Sequence, residues 1–131
     1  MNGTQLDFIA DTSAVVQLCR RDPQVEGKVR GKNFAITFVT LAELSLGVLK
    51  SAKPDAAWSK LMEVLAGHKV ISPTRQTPLL YARTYYDLEQ RGSMIPINDI
   101  WIAAVAMQAQ LPILARDEHF SRVPGLSVIP C

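Results

Sequence analysis

The sequence lacks several features that would assign it to a well-known class of protein. It has two cysteines, Cys19 and Cys131, which form neither a CxxC pair nor a disulfide framework, so we expect two free thiols. The GxGxxG, GxSxG and HExxH motifs are absent. The string GKVRGKN approaches a phosphate-binding loop, but three residues separate Gly27 from Gly31 where that motif needs four, and Asn33 replaces its Ser or Thr.

Long apolar runs are also missing. The longest uninterrupted one lies in IWIAAVAM (100–107), whereas a bilayer-spanning helix needs about 20 residues. The first residues, MNGTQLDF, lack a basic segment followed by an apolar core. We therefore expect a soluble, cytoplasmic protein with no membrane association. Its 131 residues, 48% of them apolar, fit a single domain spanning 1–131.

Apolar runs of strand length alternate with longer segments of helical periodicity. The expected strands are LDFIA (6–10), FAITF (34–38), KVIS (69–72), PILAR (112–116) and LSVI (126–129). Helices are expected at 12–20, 41–50, 54–66, 77–92 and 98–110. This order predicts an α/β fold, a three-layer α/β/α sandwich around a central, mostly parallel sheet of about five strands.

Four acidic residues stand where apolar segments give way to helix starts: Asp11, Glu43, Asp99 and Asp117. Three of them follow expected strands by one to a few residues. Asp99 follows no clear strand, but it opens the helix that leads into PILAR. A helix antiparallel to its neighbouring strands begins at their carboxyl ends, where doubly wound sheets carry their sites. We therefore expect all four acids at one sheet edge.

Each acid taken alone also fits a helix cap. In that interpretation Thr40 to Glu43 form a capping box, and Asp11, Asn98 or Asp99, and Asp117 are N-caps. Capping does not explain their convergence. Two carboxylates about 5 Å apart repel by roughly 3 kcal/mol at an effective dielectric of 20, so such a cluster must bind a cation or protonate. Oxygen ligands favour Mg²⁺ or Mn²⁺.

The net charge of +2 says little by itself about partners. Without the four acids, however, 14 basic residues face 8 acidic ones, an excess that suits a polyanion. Five of the basic residues lie in one short segment: Arg20, Arg21, Lys28, Arg30 and Lys32. Two interpretations stay open for this segment, a solvated surface or a rim that contacts phosphates.

Four strings together resemble the motifs of PIN-domain nucleases, and specifically of VapC-type ribonuclease toxins. They are DTSA (11–14), TLAEL (40–44), NDIWIAA (98–104) and ARDEHFSRVPGL (115–126). The resemblance covers nearly the whole chain. It implies that the four acids are catalytic, metal-binding carboxylates for Mg²⁺ or Mn²⁺. It also implies supporting polar groups: Thr12 or Ser13, Thr40 and Asn98.

The same resemblance implies a function. The protein would be a metal-dependent endoribonuclease that hydrolyses RNA phosphodiester bonds, the toxin of a toxin-antitoxin pair. It would form a homodimer and be inhibited by a small cognate antitoxin protein. If the basic segment is a rim that contacts phosphates rather than a solvated surface, Lys28, Arg30 and Lys32 are its candidate RNA contacts. Metal-assisted hydrolysis requires no histidine, so we interpret His119 as a structural residue.

Two other functions fit the sequence less well. A phosphoacceptor receiver domain has a similar size, sheet and acidic Mg²⁺ pocket, but it is expected to carry a lysine where this chain has Asp117 after PILAR. A PIN-like module that binds RNA without cutting it is the second alternative. Metal-dependent cleavage by the isolated protein would distinguish the enzyme from this module.

Overall fold

A computed structural model of this protein describes residues 5–131. Within that range the chain forms five β-strands, six α-helices and a short 3₁₀ helix. In chain order they are β1 (Phe8–Ala10), α1 (Thr12–Cys19), α2 (Pro23–Val29), β2 (Phe34–Thr37), α3 (Phe38–Leu49), α4 (Pro54–Leu65), β3 (Lys69–Ile71), α5 (Thr77–Arg91), α6 (Ile97–Ala109), β4 (Ile113–Ala115), the 3₁₀ helix (Glu118–Arg122) and β5 (Val128–Pro130). None of the helices described is both long and apolar enough to cross a membrane.

The five strands form one sheet in the order β3-β2-β1-β4-β5, and every neighbouring pair is parallel. Phe8 of β1 is in register with Phe34 of β2, and Ile9 of β1 is in register with Ile113 of β4. The predicted mostly parallel, five-stranded sheet is therefore confirmed. Because all strands run the same way, their carboxyl ends meet at one edge.

Helices cover both faces of this sheet, which confirms the predicted three-layer sandwich. Side chains along β1 alternate between the two faces. Phe8 and Ala10 pack with apolar residues of α1, α2, α3 and α4, and Ile9 packs with those of α5 and α6. Helix α6 is buried almost throughout, as its nearly continuous apolar sequence predicts.

Helix α3 begins earlier than the sequence predicts. Strand β2 passes into it without a loop, because the side chain of Thr37 accepts a hydrogen bond from the Thr40 N–H at 3.1 Å and caps the helix. The capping box assigned to Thr40 and Glu43 is therefore wrong, since both residues lie inside α3. The apolar run FAITF conceals this boundary because Phe38 already belongs to the helix.

Helix α6 also begins before the predicted cap. Its N-cap is Pro96, with no side-chain hydrogen bond to the first turn. Neither Asn98 nor Asp99 is an N-cap, and Asp99 lies in the first helical turn. The caps assigned to Asp11 and Asp117 are correct, because they accept hydrogen bonds from the N–H groups of Ala14 and His119. The basic segment contains α2, capped by Asp22.

Two glycines give opposite predictions for stability. Gly92 ends α5 in the left-handed region (φ 64°), so Gly92→Ala should destabilise the protein by about 1 kcal/mol. Gly27 lies inside α2 with no atom within 4 Å of an added Cβ, so Gly27→Ala should stabilise by up to about 1 kcal/mol. Urea unfolding at constant pH measures both changes. Equal effects of the two substitutions would contradict the assigned helix end.

Candidate metal centre

The four acids reach the carboxyl edge of the sheet from four elements. Asp11 directly follows β1, and Asp117 follows β4, the neighbouring strand. Glu43 is supplied by α3, which continues directly from β2, and Asp99 by the first turn of α6. The charge of Asp99 acts on Asp11, and the charges of Glu43 and Asp117 act on Asp99. The predicted convergence of the acids is therefore present in the structure.

Asp11 is the most enclosed of these acids, with 4% of its surface exposed. Its Oδ1 accepts hydrogen bonds from the Ala14 N–H at 2.9 Å and from the Ser13 hydroxyl at 2.8 Å. Burial raises the pKa of Asp11 from 3.8 to about 6, against the lowering effect of these hydrogen bonds, and the charge of Asp99 contributes in the same direction as burial. Near neutral pH this site holds a carboxylate that is costly to ionise.

Glu43 is oriented by neutral polar groups on both of its oxygens. The Thr12 hydroxyl donates to Oε1 at 2.6 Å, and the Asn98 amide donates to Oε2 at 3.3 Å. The Thr12 hydroxyl also lies 3.1 Å from that of Thr40. Three of the predicted supporting residues are thus placed around one carboxylate, and Ser13 is placed at Asp11.

Asp99 and Asp117 share one imidazole. The Nδ1 atom of His119 lies 2.9 Å from Oδ2 of Asp99 and 3.2 Å from Oδ1 of Asp117. Ionised carboxylate oxygens only accept hydrogen bonds, so Nδ1 carries the proton when both acids are ionised. One ligand atom from each of these three residues lies within 4.8 Å of the other two.

This donor set fits a hard divalent cation. Burial raises the pKa of Asp99, and the charges of Glu43 and Asp117 raise it further, while His119 opposes them. Among residues 5–131, no lysine or arginine side chain forms an ion pair with any of the four acids. Carboxylate oxygens suit Mg²⁺ or Mn²⁺, and the protonated Nδ1 of His119 bonds to two of the acids and is not itself a ligand. A bound cation would relieve the repulsion that the fold leaves uncompensated.

Comparison with known proteins agrees with this geometry. The PIN domain family profile matches residues 8–126. The chain belongs to the PIN-domain family. Ribonuclease VapC5 of Mycobacterium tuberculosis is 30% identical over 131 residues, covering 98% of this chain and 96% of the relative. Ribonuclease VapC4 of the same organism is 30% identical over 125 residues, covering 92% of this chain and 94% of the relative.

Solved structures give the same fold. VapBC2 from Rickettsia felis, bound to a DNA fragment from its promoter, superimposes with a TM-score of 0.89 at 25% identity, covering 96% of this chain and 99% of that one. VapBC-5 from Mycobacterium tuberculosis superimposes with a TM-score of 0.77 at 29% identity, covering 97% of this chain and 100% of that one. This PIN domain therefore groups with the VapC ribonucleases, and the receiver-domain alternative is excluded.

The basic segment of this PIN domain extends from the cavity that Arg20 lines together with Glu43 to the amino edge of the sheet. Lys28 is in the last turn of α2, and Arg30 is its C-cap. Lys32 stands two residues before β2, where its neighbour Asn33 pairs with Asp7 ahead of β1. That position is the amino edge of the sheet, opposite the metal centre. Contact between Lys28, Arg30 and Lys32 and RNA phosphates stays a prediction.

The sequence did not predict where the imidazole of His119 lies, although its structural interpretation stays a prediction. A histidine within a DEHF string has no local pattern that separates a structural from a functional role. The available signal is its spacing from Asp117, whose Oδ1 accepts a hydrogen bond from the His119 N–H at 3.0 Å. This cap folds the chain back, so that the imidazole of His119 returns to the acid that precedes it by two residues.

Asp11 gives a pH prediction for the metal-free PIN domain. Its pKa is raised on folding, so between about pH 4 and 6 the folded state binds more protons than the unfolded chain. Stability in EDTA should therefore fall as pH rises through this range, by about 3 kcal/mol from Asp11 alone. Asp11→Asn should flatten the dependence and be more stable than the parent at pH 7.

Urea unfolding from pH 3.5 to 7.5 measures this dependence. Asp7→Asn is the matched control, because Asp7 is exposed at the opposite end of β1 and should leave the slope unchanged. A parent stability that is flat or rises between pH 4 and 6 would contradict the assignment.

Proposed function

We propose that this protein is a Mg²⁺- or Mn²⁺-dependent endoribonuclease that hydrolyses RNA phosphodiester bonds, and that it acts as the toxin of a toxin-antitoxin pair. The observation that carries the proposal is the convergence of Asp11, Glu43, Asp99 and Asp117 at one sheet edge, with no lysine or arginine of residues 5–131 paired to them. The similar proteins VapC5 and VapC4 are ribonucleases, which supports the same activity.

In this proposal the four acids hold the cation and are the catalytic residues. When bound, it would lower the pKa of an attacking water and neutralise charge that develops on the phosphate oxygens. Asp11, buried and closest to β1, supplies a fixed carboxylate whose preferred geometry is set by Ser13 and Ala14. Asp99 and Asp117 supply a second pair of oxygens beside the imidazole of His119.

The supporting residues act by orientation. Thr12 and Asn98 each occupy one oxygen of Glu43, which limits the rotation of its carboxylate, and Thr40 supports Thr12. Such outer contacts typically change metal affinity or activity by 10- to 100-fold when removed. Because these donors are neutral, they orient the acids without cancelling the charge that attracts the cation.

Partners follow from the solved neighbours. The Rickettsia felis structure is a VapBC2 complex with DNA, and the one from Mycobacterium tuberculosis is a member of the VapBC family of toxin-antitoxin systems. We propose a small cognate antitoxin for this chain, together with homodimer formation and a cytoplasmic location where RNA is available. Large apolar side chains such as Leu49 and Leu79 are 74% and 72% exposed, which leaves surface for protein contacts.

The first test of this function is Asp11→Asn. The substitution removes one negative charge from the centre, so Mn²⁺-dependent cleavage of RNA by the purified protein should be lost, while circular dichroism stays that of the parent. Asp7→Asn, at the other end of β1, should cleave at the parental rate. Cleavage by a metal-loaded Asp11→Asn protein would reject the site, and an inactive parent would favour the RNA-binding module.

The second test concerns repulsion among the acids. Asp99→Asn should stabilise the protein in EDTA by about 1 kcal/mol, because it removes a charge that lies beside those of Glu43 and Asp117 while an oxygen remains for His119. Excess Mg²⁺ should then raise the melting temperature of the parent more than that of Asp99→Asn, since binding to the native state adds RT ln(1 + [L]/Kd).

Thermal melts of both proteins in EDTA and in Mg²⁺ make this comparison. A parent that gains no stability from Mg²⁺ or Mn²⁺, together with a destabilised Asp99→Asn in EDTA, would return the acids to a purely structural role.

A further inference from the structure

Arg116 lies between β4 and Asp117, yet its side chain is bonded away from the acids. Its guanidinium donates to both oxygens of Asp22, from Nη1 at 2.9 Å and from Nη2 at 3.2 Å. Nη2 also donates to Oε1 of Gln24 at 3.3 Å, and Nε donates to the main-chain oxygen of Cys131 at 3.1 Å. One side chain therefore joins the start of α2 to the residue that follows β5.

The main chain of the same residue supports the metal centre. The Arg116 N–H donates to the Ser13 hydroxyl at 3.3 Å. That hydroxyl donates in turn to the two oxygens of Asp11, at 2.8 and 3.0 Å. Asp117 is the next residue in the chain. A displacement of Arg116 would consequently move two of the four acids, Asp117 through the peptide bond and Asp11 through Ser13.

The alternative role for an arginine beside a nuclease centre is contact with a substrate phosphate. Four of the five guanidinium N–H groups are already engaged with protein acceptors, counting one hydrogen for each bond. The pair with Asp22 is bidentate and solvent-accessible, with 34% and 20% of the two side chains exposed. The Arg116 guanidinium holds the pKa of Asp22 below its usual range. These observations indicate that the Arg116 side chain holds neighbouring segments in position and does not contact a substrate phosphate.

We propose that Arg116 is a positioning residue of the metal centre, which acts through Asp22, Gln24 and the main chain of Cys131 to hold Asp11 and Asp117 at the separation that the cation requires. The inference rests on the proposed nuclease function. It assigns a role in metal binding to Asp22, the N-cap of α2, which touches none of the four acids through any hydrogen bond or ion pair described in residues 5–131.

Three variants and one control test the positioning role of Arg116. Arg116→Gln removes the guanidinium. Asp22→Asn removes the charge of its partner but keeps a side-chain oxygen for the Gln24 and Val25 N–H groups, so α2 retains its cap. The third variant combines both substitutions. Arg83→Gln is the control, since Arg83 forms an exposed ion pair with Asp87 on α5, away from the centre.

Mn²⁺ affinity measured by electron paramagnetic resonance should fall about ten-fold in Arg116→Gln and in Asp22→Asn, in the range seen for groups that orient metal ligands. The double variant should be no weaker than the weaker single variant, because both substitutions remove one interaction. Amide hydrogen exchange of the segment 113–119 without metal should become faster in all three. In cleavage assays kcat should fall while KM for RNA stays within about three-fold.

Other outcomes would contradict the positioning role of Arg116. A raised KM with a flatter salt dependence in Arg116→Gln, but not in Asp22→Asn, would make Arg116 a phosphate contact. Unchanged Mn²⁺ affinity and exchange in both single variants, or equal losses in Arg83→Gln, would also reject it. A parent that binds Mn²⁺ but cuts no RNA would refute the nuclease function, while Mn²⁺ affinity and hydrogen exchange would still decide the role of Arg116.

Discussion

Repulsion between carboxylates at the carboxyl edge of the sheet is the constraint around which this protein is built. Asp11 is almost fully enclosed, and the pKa values of Asp11 and Asp99 are both raised by burial and by neighbouring negative charge. A flexible loop would relax such a cluster by moving its members apart. Here apolar residues packed on both faces of the sheet fix the strand ends, so the repulsion remains for a cation to relieve.

The contacts around the acids orient the carboxylates but do not neutralise their charge. Ser13, Thr12 and Asn98 donate neutral hydrogen bonds, which set the direction of a carboxylate without reducing its charge. The cap and metal interpretations of the sequence are therefore compatible. Asp11 and Asp117 each cap a helix with one oxygen, and their carboxylates still face the cluster. Capping fixes the positions of these carboxylates, and their closeness to the other acids also suits them to bind a cation.

The sequence predicts the parallel sheet and the four acids because both depend on local patterns: a short apolar run, an acid at its end and a helical period after it. Two helix starts were missed: the cap of α3, Thr37, lies within an apolar run, and the start of α6 at Pro96 has no side-chain cap. Long-range contacts carry no local signal. Arg116 and Asp22 are 94 residues apart in the chain, and nothing in either segment shows that they meet. The position of His119 depends on how a 3₁₀ helix folds back over its own cap.

Strand β2 passes into α3 at Thr37 with no intervening residue, and this junction determines the rotational phase of Glu43. Each residue of an α-helix turns by about 100° and rises 1.5 Å. One residue inserted between Thr37 and the helix would aim the carboxylate of Glu43 into a different sector, and no loop is present to absorb the change. The connection between β3 and α5, in contrast, has several exposed residues and joins no acid to the sheet. A residue inserted into this exposed connection would leave the directions of the four carboxylates unchanged.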